Sequence, residues 1–273
     1  MLLQDKNAII YGAGGSLGGS IAGALATAGA HVFLTGHNMD SVRKTANMIE
    51  SAGGKVSIHR VDARNEKSVN YHINEVIQTV GSVDISFNAI SWHDTQDIPL
   101  TEMSLDDFLR PINIAMETQF ITATAAGRVM KQNKSGVILS LTATPGGIGY
   151  ANVGGFGPAC NAVEAFSRNL ASELGPYGIR VINIRSAGSP DSRVFKEAID
   201  AGGDEVKAFL KKMESDTMLK QLPLMEDIAN TAVFLASAMA GKITGVTIDV
   251  TAGTTSALNY KVTNIAFLKK DTK

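Results

Sequence analysis

The stretch Tyr11-Gly12-Ala13-Gly14-Gly15-Ser16-Leu17-Gly18 constrains this chain more than any other. It joins a short apolar run, Ala8 to Tyr11, to an alanine-rich helical pattern that begins near Leu17. Glycines at such a junction let the backbone turn sharply and approach a ligand closely. The N–H groups and positive dipole end of the new helix then favour an anion. A phosphate is the expected guest, met by Gly12, Gly15, Ser16, Leu17 and Gly18. Because glycines also serve a tight strand-to-helix contact with no ligand, a second signal is needed.

The rest of the chain alternates short apolar runs with longer amphipathic ones. Strands are predicted over 7–11, 31–35, 56–60, 83–88, 137–141, 180–184 and 246–250. Between them, Ile21, Leu25 and Ala28 form a helical stripe; Asp40 caps a helix through Glu50, and Asn65 one through Thr79. Ser104 with Asp107 reads as a capping box, and later helices are predicted over 158–174, 193–212 and 225–236. This alternation predicts an α/β fold, a doubly wound parallel seven-stranded sheet with helices on both faces. With 273 residues the expectation is a single domain over 1–259, a lid segment at about 186–224 and a C-terminal tail over 260–273.

Composition narrows the setting. A formal net charge of -1 gives no pull towards nucleic acid, and the lone Cys160 cannot form an intramolecular disulfide. No Cys/His cluster suggests a metal site. The uncharged stretch between Lys6 and His31 raises a secretory signal, but Gly12, Gly14, Gly15, Gly18 and Gly19 interrupt it and the preceding Asp5 opposes that reading. It is also too poor in large apolar residues to span a bilayer, so a cytoplasmic protein without a membrane partner is expected.

The second nucleotide signal comes at the end of the second predicted strand, where an acidic residue would normally hold the ribose 2′-hydroxyl of NAD. The chain reads Thr35-Gly36-His37-Asn38, with no carboxylate before Asp40. This favours NADP(H) over NAD(H), with His37 the expected contact and Arg43 behind it; a solvated loop histidine is the competing reading.

Several ordered stretches resemble the short-chain dehydrogenase/reductase family along nearly the whole chain. The glycine loop is similar to that family's Gly-x-x-x-Gly-x-Gly, with Ser16 at the middle glycine. Arg60-Val61-Asp62-Ala63, Phe87-Asn88-Ala89-Ile90, Glu173 to Val181, and Ile243-Thr244-Gly245 followed by Asp249 to Gly253 also resemble its recurrent segments. The resemblance implies a Rossmann-like fold and cofactor contacts at Asp62, Ala63, Asn88 and Ala89, with Ala187 and Gly188 beside the nicotinamide. It places Asn113 where the family supports a proton-relay water. It also implies a homodimer or homotetramer through the helices predicted over 112–131 and 158–174.

The family's chemistry uses a serine to orient the substrate oxygen, a tyrosine to move the proton and a lysine to lower the tyrosine pKa. Aligning this chain through Ala162-Val163-Glu164-Ala165 puts Ala143, Phe156 and Cys160 at those places. No lysine occurs between Lys134 and Lys196, so the absence does not depend on register. Replacement donors are Tyr150, on a glycine-rich loop, and His93 beside Asp94; Trp92, His93 and Asp94 are expected to rim the cleft. Cys160 reads as a small buried side chain or, less simply, a thiolate nucleophile. The resulting expectation is an NADP(H)-linked oxidoreductase with an atypical active site. Its substrate would be a carbonyl, hydroxyl or enoyl group of a small molecule or acyl thioester. The alternative is a catalytically inactive dinucleotide-binding pseudoenzyme serving as redox sensor or partner subunit.

Overall fold

The structure is a computed structural model, in which residues 1–256 are described. Seven strands form its sheet: β1 (Asn7–Tyr11), β2 (His31–Gly36), β3 (Lys55–Arg60), β4 (Ile85–Asn88), β5 (Gly136–Ala143), β6 (Ile179–Ser186) and β7 (Thr247–Val250). They stand in the order β3-β2-β1-β4-β5-β6-β7, every neighbouring pair parallel. The helices are α1 (Ser16–Thr27), α2 (Met39–Ser51), α3 (Glu66–Val80), α4 (Leu105–Asn133), α5 (Phe156–Leu174), α6 (Arg193–Asp216) and α7 (Met225–Ala236).

Helices on both faces explain why the central strands read as nearly unbroken apolar runs. Alternate side chains of β1 separate the two cores. Ile10 joins Leu34, Leu139 and Ile184 beneath Ile21 and Leu25 of α1 and Leu235 of α7. Ile9 and Tyr11 join Phe33, Ile138 and Val181 beneath Val69 and Ile73 of α3, Met130 of α4 and Leu170 of α5.

Where boundaries differ from those predicted, local bonding gives the reason. The side chain of Asn38, not Asp40, caps α2, accepting from the N–H groups of Asp40 and Ser41. Asn65 and Ser104 cap α3 and α4 through the N–H groups of Ser68 and Asp107. β5 and β6 run two residues beyond their predicted ends, because Thr142 pairs with Arg185 and Ala143 with Ser186. α5 starts at Phe156 rather than Pro158. The helical run of α6 reaches Asp216 but breaks at Gly203, whose φ of 54° no ordinary helical residue adopts. The expected tail over 260–273, and the expected domain end at 259, lie outside the described residues. No helix among the described residues is long and apolar enough to cross a membrane, and none of their His, Cys, Asp and Glu side chains form a group that could hold a metal ion.

Candidate functional site

Strand order reverses between β1 and β4, and such a reversal opens a crevice at the carboxyl ends of a parallel sheet. Two adjoining cavities occupy it, of about 530 Å³ and about 400 Å³, and both are lined by Gly15, Ala89, Ile90, Ser91 and Arg193. The first extends towards the ends of β2 and β3, the second over the end of β5.

The glycine turn forms the wall between them. Gly12 has a φ of 80°, and a Cβ there would lie 2.6 Å from the Ala89 carbonyl oxygen. A Cβ on Gly18 would come within 2.4 Å of the Gly12 carbonyl oxygen, so α1 starts hard against the turn. Side chains are thus excluded where an anionic group would approach backbone N–H groups and the start of a helix. A dinucleotide fits this arrangement: a backbone cradle at the centre with a cavity on each side.

The first cavity has Gly36, His37 and Asn38 on one side and Asp62 and Ala63 on the other. His37 is exposed, its Nε2 3.4 Å from Asp62 Oδ1. Arg60 Nη2 donates to the His37 carbonyl oxygen at 3.4 Å, which brings a guanidinium to this rim. Asn88 does not line either cavity. Its Nδ2 donates to Thr122 Oγ1 and its Oδ1 accepts from Ile90 N–H, both at 3.1 Å, so it holds the turn that presents Ala89 and Ile90.

The second cavity is lined by Ser16, Leu17, Gly18, Trp92 and Asp94, with Ala143 and Phe156 forming an apolar floor. The Trp92 and Phe156 rings lie 5.5 Å apart at 54°. Cys160 is fully buried behind them with Ala115, Ala159 and Val163. Burial pushes its thiol up to about 12, with the Asp94 and Glu164 charges adding to the rise, so the thiolate reading is not supported. Thr142 next to the floor is committed elsewhere: its hydroxyl donates to buried Glu164 at 3.0 Å and accepts from Asn183 Nδ2 at 2.7 Å. Glu164 in turn pairs with Arg185 at 2.5 Å, and Arg185 with Asp249 at 3.0 Å.

The candidate replacements do not converge on this floor. His93 lines the first cavity instead, exposed and at a φ of 52°. Tyr150 is 38% exposed and lines neither cavity. Asn113 is exposed on α4 and also lines neither; Ala115, fully buried two residues on, packs with Trp92 and Cys160. A helix turns about 100° per residue, so a two-residue difference moves a side chain to nearly the opposite face. Ala187 and Gly188 likewise stand outside both cavities, whereas Ser186 and Ser192 line the second. Sequence reasoning missed Arg193, the first residue of α6. It lines both cavities, and its N–H donates to Ser16 Oγ at 3.1 Å, fastening the predicted lid to the glycine turn.

Residues 12–255 match the family model described as enoyl-(acyl carrier protein) reductase. The chain belongs to the short-chain dehydrogenase/reductase family. It is 30% identical to the 7alpha-hydroxysteroid dehydrogenase of Escherichia coli K12, over 94% of this chain and 97% of that protein. It is also 30% identical to the NADH-dependent enoyl-[acyl-carrier-protein] reductase of Bacillus cereus, over 92% and 97%. Among solved structures, NAD+-bound xylitol dehydrogenase superposes with a TM-score of 0.85 at 22% identity, covering 93% of this chain and 100% of that one. A Burkholderia cenocepacia gluconate 5-dehydrogenase in complex with NADP and tartrate gives 0.83 at 22%, covering 93% and 97%. At those identities the structural likeness concerns the fold.

Proposed function

We propose that the protein binds NADP(H) across the two cavities and is an oxidoreductase with an atypical active site. Its substrate would be a carbonyl, hydroxyl or enoyl group of a small molecule or acyl thioester. The observation that carries this reading is the pair of cavities meeting at the side-chain-free turn of Gly12, Gly15 and Gly18. Adenosine would lie between His37 and Asp62–Ala63, and the absence of a carboxylate after β2, with Arg60 close to His37, supports a 2′-phosphate. Bound reduced nicotinamide supplies hydride. Ser16, Leu17 and Gly18 would hold the ring end from one wall, with the apolar side chains of Ala143 and Phe156 as the floor beneath it. Ala115, Ala143 and Phe156 carry no transferable proton and the Cys160 thiol is sealed behind the floor, so the proton would come from water or from the substrate itself.

The same four residues favour a second reading, a nucleotide-binding sensor without turnover. Titration with NADPH and NADH, followed by absorbance measurements with ketones, enones and acyl thioesters, separates the two. NADPH should bind at least tenfold more tightly than NADH, and His37→Ala should narrow that preference. Binding without turnover selects the sensor; no binding of either nucleotide overturns both. We further propose that α4 and α5 pair with a second copy, supported by the exposed Phe120 ring, 6.2 Å from Phe166.

A further inference from the structure

Hydride addition to a carbonyl leaves an alkoxide, a strong base that needs a proton donor beside it. Addition to a C=N⁺ carbon leaves a neutral amine and needs none. The second cavity is lined by hydroxyls such as Ser186 and Ser192 but by no tyrosine, lysine or histidine, and it has features that attract a cation. Trp92 and Phe156 offer two aromatic rings, and ring faces draw cations most strongly where water is excluded. Asp94, half-buried, adds a carboxylate to the same lining, and its charge is felt as far as Cys160 behind the floor. Glu164 is not a competitor for a ligand, being paired with Arg185. Arg193 is the other charged residue lining the cavity. It stands at the boundary with the first cavity, over the glycine turn, with its Nε 3.6 Å from Glu197.

We infer that the cavity of Trp92, Asp94 and Phe156 accepts a planar cationic substrate, an iminium ion or protonated imine, for reduction to the amine. This rests on the dinucleotide-binding reading above, with dihydronicotinamide as the reductant. The hydride and its two electrons form a C–H bond at the iminium carbon. The C=N π pair moves onto nitrogen as a lone pair, and the nicotinamide is oxidised to the pyridinium. No proton leaves the protein, which is why Ala115, Ala143, Phe156 and Cys160 are compatible with turnover.

Trp92 is the only tryptophan of the chain and lines this cavity, so with no nucleotide present its fluorescence reports binding there. N-Methylisoquinolinium should quench it saturably, with Kd about tenfold lower than uncharged isoquinoline at pH 8. Asp94→Asn should bring the two within about twofold, and Asp94→Glu should keep the preference. Equal binding of the two probes, no saturable quenching by either, or an unchanged preference in Asp94→Asn would overturn the inference. With NADPH present, N-methyl-3,4-dihydroisoquinolinium should be reduced at least about tenfold faster than 1-tetralone, similar in shape and neutral; the reverse order also overturns it. NADPH binding is measured separately by its own fluorescence. Loss of that binding alone removes the oxidoreductase reading, whereas loss of cation preference alone removes only this one.

Discussion

Cys160 stands at the base of the second cavity with no exposed surface, and a thiol held up to about 12 by burial is almost wholly protonated at neutral pH. Its reaction with a disulfide reagent at pH 8 should therefore be at least about 100-fold slower in the native protein than in urea. Similar rates would show that the pocket opens freely. Gly12 carries a different constraint. Its φ of 80° is strained for any L side chain, and a Cβ would strike Ala89 carbonyl oxygen at 2.6 Å. Gly12→Ala should raise the NADPH Kd by more than about tenfold and cost about 2 kcal/mol of stability, read by titration and by urea unfolding. The glycine turn was legible in the sequence because its chemistry is local: spacing alone sets the turn and the helix start. The nearness of Ala143, Phe156 and Cys160 was legible too, because they fall at the end of one predicted strand and around the start of the next predicted helix. Which residue of a long helix faces a cavity depends on packing that sequence spacing does not set: α4 turns Ala115 inward and leaves Asn113 exposed.

At the scale of elements, β5, β6 and α5 are joined by buried polar side chains as well as by apolar contact. Ser167, Ser140, Asn183, Thr142, Glu164, Arg185 and Asp249 form a continuous hydrogen-bonded series, with contacts from 2.5 to 3.1 Å. Arg185 Nη2 also donates to the Gly146 carbonyl oxygen at 3.3 Å, tying the turn after β5 to this series. Taking away Glu164 would leave the largely buried Arg185 guanidinium with only the exposed Asp249 carboxylate as counter-charge. Glu164→Ala should lower stability by about 3–5 kcal/mol in urea unfolding, and Glu164→Gln by less, since the amide oxygen still accepts a hydrogen bond. A loss under about 1 kcal/mol for the alanine variant would show that water reaches Arg185. These contacts also explain which parts of the fold the sequence disclosed. Strand existence followed from apolar runs, but the extra length of β5 and β6 depends on cross-strand pairing up to Ala143 and Ser186. The choice between Asn38 and Asp40 as cap rested on backbone direction, which side-chain type alone does not set.

At the scale of the whole molecule, the crevice lies where the sheet reverses its order, while a separate stack of rings crosses the far half of the sheet. His31, Phe33, His59 and His72 follow one another with ring centroids 4.3, 6.1 and 4.6 Å apart. His72, on α3, is 2% exposed, and neither ring nitrogen has a hydrogen-bond partner among the described residues. Burial, assisted by nearby His59, lowers its pKa to about 3. In the unfolded chain the same imidazole titrates near 6.5. Below that pH the unfolded state takes a proton that the folded state refuses until about pH 3, so stability is fully present above pH 6.5 and falls through this window. Between pH 7.5 and pH 5 the loss from this one group should be about 2 kcal/mol. Urea midpoints measured across that range should decline in the native sequence and decline less in His72→Phe, which keeps a ring beside His59 and binds no proton. Parallel declines in both proteins would mean that other groups govern acid sensitivity. His31, also lowered by burial and by Lys55, would then be the next histidine to replace.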